Sequence, residues 1–335
     1  MRKFLFLSAI IFVNAIIFSY ASFTYAEETG CVTSKCHADL SKEKFVHAPV
    51  AGGDCTSCHE ETGKHKFKPI DDASKLCSQC HDAKNTKKSI HPPVKDGMCT
   101  SCHSPHQSPY KFQLLSEPPA LCFNCHDDKM TKGKFVHPPV AGGECVTCHN
   151  PHQSDFPKML ISEPPALCFN CHDDKMTKGK FVHAPVAGGE CVTCHNPHKS
   201  DFPKMLIAEN ENLCYNCHGD KKTEWEGKKF MHGPTAAGEC NTCHNPHATE
   251  NIFQLRKPIW DLCIGCHAEK ASGLHVISGY VRNKTHPTKG KPDPARKGRE
   301  ISCSSCHNPH AANSAGLFSF GATSRFGLCQ NCHKK

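Results

Sequence analysis

The chain of 335 residues lacks the apolar patterning from which a conventional core is built: no long period of 3.6 residues or of two runs along its body. Proline and glycine interrupt it instead. Between residues 116 and 161 stand Pro118, Pro119, Pro138, Pro139, Pro151 and Pro157, and Gly142-Gly143 forces a turn. Short helices have room only at the cysteine motifs and in stretches such as Asp127 to Lys132. A chain so composed would ordinarily be loop-rich and disordered. Also lacking is any cysteine outside a motif. The 26 cysteines would suggest a disulfide framework in a short secreted chain, but all of them fall into pairs followed by histidine, and none is left to make a disulfide.

Twelve of these pairs are C-x-x-C-H. They are Cys55, Cys58 and His59; Cys77, Cys80 and His81; Cys99, Cys102 and His103; Cys122, Cys125 and His126; Cys145, Cys148 and His149; Cys168, Cys171 and His172. The remaining six are Cys191, Cys194 and His195; Cys214, Cys217 and His218; Cys240, Cys243 and His244; Cys263, Cys266 and His267; Cys303, Cys306 and His307; Cys329, Cys332 and His333. The thirteenth motif, Cys31, Cys36 and His37, has four residues between its cysteines. Two thiols two residues apart can each form a thioether to a porphyrin vinyl group, and the following histidine then reaches the iron as an axial ligand. The motif therefore reads as covalent attachment of haem c, thirteen per chain. Zinc is the rival for one isolated C-x-x-C pair, but not for thirteen pairs that each carry the histidine.

Histidine provides a second count. Of 26 histidines, the thirteen outside the motifs are His47, His65, His91, His106, His137, His152, His183, His198, His232, His247, His275, His286 and His310. One remains per haem, so every iron is expected to have two histidines, the first haem included.

Arg2 and Lys3 precede an apolar run from Phe4 to Phe18, with a small-residue cleavage point after Ala26. Residues 1–26 are expected to be a secretory signal peptide, an uncleaved membrane anchor being the alternative. The formal charge of +8 is misleading, because each haem brings two propionates. The mature holoprotein comes to roughly −7 oxidised and −20 reduced by charge counting. Nucleic acid is excluded as a partner, while basic proteins, cations and metal surfaces fit.

Motifs recur about every 23 residues and two kinds alternate, Leu-Cys-Phe-Asn-Cys-His and Gly-Glu-Cys-Val-Thr-Cys-His-Asn-Pro-His. Residues 116–161 and 162–207 differ only where Pro138 is matched by Ala184 and Gln153 by Lys199, a direct tandem duplication. The expected fold is irregular and haem-cored, mostly loops with short α-helices and little or no β, an elongated tandem repeat in which the polypeptide wraps its porphyrins. The expected organisation is an N-terminal region at 27–115, dihaem repeats at 116–267, a basic Pro/Gly-rich loop at 268–302 and a C-terminal dihaem segment at 303–335. That loop has eight Lys/Arg against three acids. It reads as a solvated, ligand-supplying segment or as a docking surface.

His47, His91, His137, His183 and His232 each lie eight residues before a first cysteine, and each is expected to be the distal ligand of the haem that directly follows. His106, His152, His198, His247 and His310 lie three residues after a motif histidine. They share that haem's proximal side, cannot cross its ring, and must ligate a neighbour. His65 is expected to act likewise. If they serve the haem after them, the haem on Cys31 and Cys36 is left for His275 or His286, a pairing that could be made between subunits. If they serve the haem before them, His65 closes on the first haem and the chain is self-contained. The first scheme is the expectation.

These motifs and spacings resemble the multihaem c-type cytochromes with doubled C-x-x-C-H motifs, and the His137-to-Cys145 spacing is similar to that of the tetrahaem class III cytochromes. The resemblance implies low-potential bis-histidine haems, redox partner proteins as donor and acceptor, and electron transfer in the periplasm, at the outer membrane or outside the cell. A pure electron carrier is the expected function. A filament of copies of the chain, or a conduit through an outer-membrane porin, shares that chemistry. A nitrite- or hydroxylamine-type reductase would need an iron with an open position, against the histidine parity.

Overall fold

A computed structural model describes residues 31–32, 36–271 and 286–333. The expected signal peptide, residues 33–35 of the first motif and His275 lie outside them. No helix among the described residues is long and apolar enough to cross a membrane.

Local structure follows from proline and glycine. In the repeat that begins at His137, prolines at the first two positions preset φ for the one-turn helix Pro138–Ala141. Gly142 ends it and Gly143, at φ 72°, turns the chain into Cys145–Thr147, a 3-10 turn holding the attachment motif. After the motif comes a closed loop. His149 bridges to Leu160, and Asn150 N–H donates to the Met159 carbonyl at 2.7 Å. The buried Ser154 hydroxyl accepts from Phe156 N–H at 2.9 Å and donates to the Leu160 carbonyl. The turn needs positive φ at Lys158 and Met159, 56° and 58°, residues that ordinarily avoid it. The equivalent loops after His103, His195 and His244 repeat the bridge and the positive-φ pair.

The strands are mostly two residues long and pair one repeat ahead. Phe135–Val136 is antiparallel to Lys199–Ser200, Phe181–Val182 to Ala248–Thr249, Ser89–Ile90 to Gln153–Ser154, and Phe230–Met231 to Ala311–Ala312. Such ladders are too short to stand alone. They stitch segments whose stability comes from elsewhere.

That source is not a protein core. Among the described residues the buried apolar side chains are Ala248, Leu255, Ala311 and Ala312, and no large side chain is fully buried. Apolar residues instead lie open at equivalent repeat positions, Val146 and Val192 at 53% and 52% exposure and Ile161 and Ile207 at 44% and 46%. The architecture is the expected irregular tandem repeat, with apolar residues left open at equivalent positions of successive repeats.

The described residues fall into two compact units. One contains the residues up to Asp71 together with His103–Leu114, and the other Asp72–Cys102 with the residues from Leu115 on. The first holds the hairpin His59–Gly63 with Lys66–Pro69 and the pair Phe45–Val46 with Gln107–Ser108. In the second, residues 286–302 are fastened rather than free. Lys289 lies 3.6 Å from the Trp260 ring centre, Arg296 4.6 Å from Phe320 and Arg299 4.8 Å from Phe253.

Candidate haem-binding histidine and cysteine pairs

Among the described residues, ten histidine pairs can be named. Ring centres are 5.7 Å apart for His37 with His65 and 6.0 Å for His59 with His106. They are 5.9 Å for His91 with His126, 6.0 Å for His137 with His172 and for His149 with His198, and 6.3 Å for His183 with His218. The series continues with His195 and His247 at 6.0 Å, His232 and His267 at 6.2 Å, His244 and His310 at 6.0 Å, and His286 and His333 at 6.2 Å. Each pair joins one motif histidine to one histidine outside the motifs. The remaining six histidines are His81, His103 and His307 of the motifs, and His47, His152 and His275.

This separation is too wide for rings in contact and fits a metal between them. Two imidazole nitrogens at about 2.0 Å from one metal, each about 1.1 Å from its ring centre, put the centres about 6.2 Å apart. Among the described residues no three His, Cys, Asp or Glu side chains are grouped to hold a metal ion. The donors come in twos, as axial ligation of a planar macrocycle requires and a four-donor zinc site does not.

The other ring nitrogen is occupied as well. Nδ1 of His149 and of His195 lies 2.9 Å from the carbonyls of Lys158 and Lys204, and Nδ1 of His103 and of His244 2.8 Å from those of Phe112 and Phe253. All four acceptors are positive-φ residues, so the strained turn aims the carbonyl. Nδ1 of His91, His137 and His183 lies 3.0 Å from the carbonyls of Pro151, Pro197 and Pro246. An Nδ1–H donating to a carbonyl fixes the tautomer and presents Nε2 as the free donor atom. Burial adds to this. It pushes His310 down to about 4, helped by repulsion from His244 and His232, and lowers His106, His198 and His247, which keeps them neutral.

The cysteines are grouped by the same fold. First-cysteine thiols meet in hydrogen-bonding contact at Cys31 with Cys55, Cys122 with Cys145, Cys168 with Cys191, Cys214 with Cys240 and Cys263 with Cys303. Five further couples lie near enough for their charges to interact: Cys102 and Cys125, Cys148 and Cys168, Cys194 and Cys217, Cys243 and Cys266, Cys306 and Cys332.

The polypeptide does not cover the expected haem-binding residues evenly. Cys36 and His37 are exposed, and so are the second cysteine and the histidine of each repeat's second motif: Cys80, Cys125, Cys171, Cys217, Cys266 and Cys332 with His81, His126, His172, His218, His267 and His333. The matching residues of the first motifs, from Cys58 and His59 onward, are half-buried. The cause is the chain that follows. A first motif is overlaid by its closed loop, as His149 is by Leu160, and in the N-terminal unit the Cys58 carbonyl accepts from Ile70 N–H at 3.1 Å at the close of the hairpin. A second motif is followed by a short turn such as Asp128–Thr131, which leads away from it.

Two expectations about pairing are corrected. His91, His137, His183 and His232 do not face the motif eight residues on. They face the motif after it, at His126, His172, His218 and His267, and His59, the expected partner of His47, faces His106. The eight-residue connection is taken up by one helical turn and a glycine reversal, a rise of only about 6 Å over the helix. The histidine is meanwhile held by its strand: His137 N–H donates to the His198 carbonyl at 2.9 Å. Second, the X-Pro-His histidines do not serve the haem after them. His126 and His172, the forward partners expected for His106 and His152, face His91 and His137. His106, His198, His247 and His310 face backward, two motifs upstream, while His65 faces His37. The first motif thus faces a histidine of its own chain.

A family model for the doubled CXXCH motif matches residues 47–86, 91–131, 137–177, 183–223, 232–272 and 293–335. The chain belongs to the doubled CXXCH family. Membership makes it a multihaem c-type cytochrome of electron transfer. A comparison with curated proteins finds no match. In this frame the pairing has a simple form. His91, His137, His183 and His232, each the first residue of its doubled CXXCH repeat, face the second motif of that same repeat. The X-Pro-His histidine faces the first motif of the repeat before. Sequence reasoning missed the positive-φ carbonyls, since neither Lys158 nor Phe253 signals a left-handed turn. It also missed Trp225, stacked on His310 with ring centres 4.3 Å apart. The one regional sign of that contact is the helix Asn210–Glu226, which carries a three-residue insertion between Cys214 and Cys240.

Proposed function

We propose that this cytochrome is an electron carrier holding thirteen covalent haem c groups, each between two histidines, in an order that follows the sequence. Bound haem supplies a one-electron Fe(III)/Fe(II) couple. With haem bound, the two histidines of each pair would take both axial positions and leave no place for a substrate, which disfavours a reductase. The Nδ1 bonds hold the imidazoles at fixed angles and raise their basicity, favouring a low-spin iron that changes little in geometry between its two states.

The observation that carries the reading is the series of facing histidine pairs, and a run of cysteines near enough for their charges to interact accompanies it. Every cysteine becomes a point on a porphyrin edge. From Cys102 to Cys332 each motif has a cysteine beside a cysteine of the next, and Cys31 lies beside Cys55. Within each of these two runs, edges brought together by their own attachment points would give a path for electron hopping. The six further histidines, three motif and three other, keep the parity for the remaining sites, and the in-chain pair of His37 with His65 favours a self-contained chain over a filament with shared ligands.

We place the mature chain outside the cytoplasm, in the periplasm, at the outer membrane or beyond it, with redox proteins as donor and acceptor. The test is a haemochrome assay with intact mass on the purified holoprotein. Thirteen haems per chain and wholly low-spin ferric iron are expected, and a clearly smaller count, or a high-spin signal, would overturn the reading.

A further inference from the structure

Nine of the ten histidine pairs have nearly parallel rings, with interplanar angles between 9° and 26°. The tenth, His286 with His333, is crossed at 72°. The departure has a cause in the sequence and the fold. In the repeats led by His91, His137 and His183 the histidine that faces the second motif lies eight residues before the first cysteine, and the proline carbonyl of the next repeat's X-Pro-His orients its ring, as Pro197 does for His137. In the repeat at 293–335 that position is Ala295. His286 takes the role from 17 residues before Cys303. Its Nδ1 lies 3.0 Å from the carbonyl of its own neighbour, Pro287. A ring tethered to the adjacent residue takes its plane from the local backbone and not from the partner repeat. The attachment differs too. The other twelve first cysteines are half-buried, whereas Cys329 is exposed, as Cys332 is.

Resting on the bis-histidine reading, we propose that His286 is a positioning residue which crosses the axial imidazoles of the C-terminal haem and so makes this exposed end of the chain electronically distinct from the parallel-ligand haems before it. The physics is that of axial ligand fields. Parallel imidazole planes act on the same iron d orbital and split it from its partner. Crossed planes act on both orbitals about equally and leave them nearly degenerate. A low-spin ferric ion between parallel rings gives a rhombic paramagnetic resonance spectrum, and one between crossed rings gives a strongly anisotropic spectrum with a large leading g value. Orientation alone produces the difference, because both ligands remain neutral histidines.

The experiment is electron paramagnetic resonance of the oxidised holoprotein, compared with two variants. The wild type is expected to show rhombic signals and, integrating to one haem per chain within the described pairs, a large-g signal. His286→Ala should replace that signal by one high-spin haem per chain, while the rhombic signals keep their intensity. The double variant Cys329→Ser with Cys332→Ser should lose the same signal together with one haem by mass, and it reports even if His286→Ala disturbs attachment. Absence of a large-g signal, or its persistence in both variants, would overturn the proposal with bis-histidine ligation intact. A high-spin signal in the wild type would instead overturn the bis-histidine reading itself.

Discussion

His137→Ala decides which iron each repeat's leading histidine serves. The His137 and His172 rings are 6.0 Å apart, while His149 faces His198 at the same separation. Removing the His137 imidazole should therefore open the haem on Cys168 and Cys171, whose first cysteine lies 31 residues downstream, and leave the nearer haem on Cys145 and Cys148 untouched. The fold should survive. The backbone bond from His137 N–H to the His198 carbonyl, 2.9 Å, and the strand pair Phe135–Val136 with Lys199–Ser200 do not depend on the side chain. The Nδ1 bond to Pro197 is lost, at a cost of about 1 kcal/mol. The expected change is one five-coordinate haem per chain, measured as high-spin ferric iron and as one equivalent of carbon monoxide bound after reduction. Two backgrounds locate it. With Cys168 and Cys171 changed to serine, His137→Ala should add no carbon monoxide binding; with Cys145 and Cys148 changed instead, it should still add one equivalent. The reverse result would return His137 to the haem that directly follows it and refute the pairing.

Three further outcomes are expected. Gly189, at φ +73°, would bring an added Cβ to 2.6 Å from Cδ of Pro165, whereas Gly298, at φ +79°, meets nothing within 4 Å. Gly189→Ala should then lower the thermal midpoint beyond the roughly 1 kcal/mol of left-handed strain expected for Gly298→Ala; equal losses would mean that the Pro165 contact relaxes freely. Burial raises the pKa of Asp293, but the Ser305 hydroxyl, the Ala295 N–H and Arg296 together outweigh it and hold the carboxyl below its usual range. Its contribution is present above about pH 4, the unfolded value, and is lost as the pH falls through the lower folded value. Amide exchange across 290–302 should accelerate only in acid, and Asp293→Asn should remove that pH dependence. Finally, the chain produced without haem attachment should show a coil-like far-ultraviolet dichroism spectrum, since so few apolar side chains find protein partners; a native-like spectrum would contradict a haem-dependent core.

The attachment motifs, the tandem duplication and the lack of a protein core were legible because each is written locally, in residue identity and period. So was the argument that His198 cannot serve its own haem, a matter of three residues of chain. Which iron it serves is decided by ladders as short as Val136 opposite Lys199, one repeat away, and two residues of strand leave no readable periodicity. The uneven cover of the motifs was hidden too: Cys125 and Cys148 stand in motifs of the same spelling, and only the loop that follows Cys148 separates them. The turn that orients His149 escaped for a related reason. Lys158 takes φ 56° because its carbonyl satisfies the imidazole, a compensation invisible to propensity. The basic segment looked like solvated loop from its composition. Its described part is held by cations on aromatic faces and by the buried Asp293, contacts between residues up to 46 positions apart.

The pairing also accounts for where the sequence breaks its own pattern. If each repeat lends a histidine to the first motif of the repeat before it, the first family match needs a motif ahead of it to receive its own. The lone motif answers this: Cys31 and Cys36 lie outside the six family matches, and His65, displaced from the X-Pro-His position, faces their His37 at 5.7 Å. The 40-residue interval from Cys263 to Cys303 departs for another reason. The position eight residues before Cys303 is Ala295, and His286, supplied from within the interval, faces the second motif of that repeat at His333 instead. Each departure from the repeat thus supplies a partner that the regular pattern would leave out.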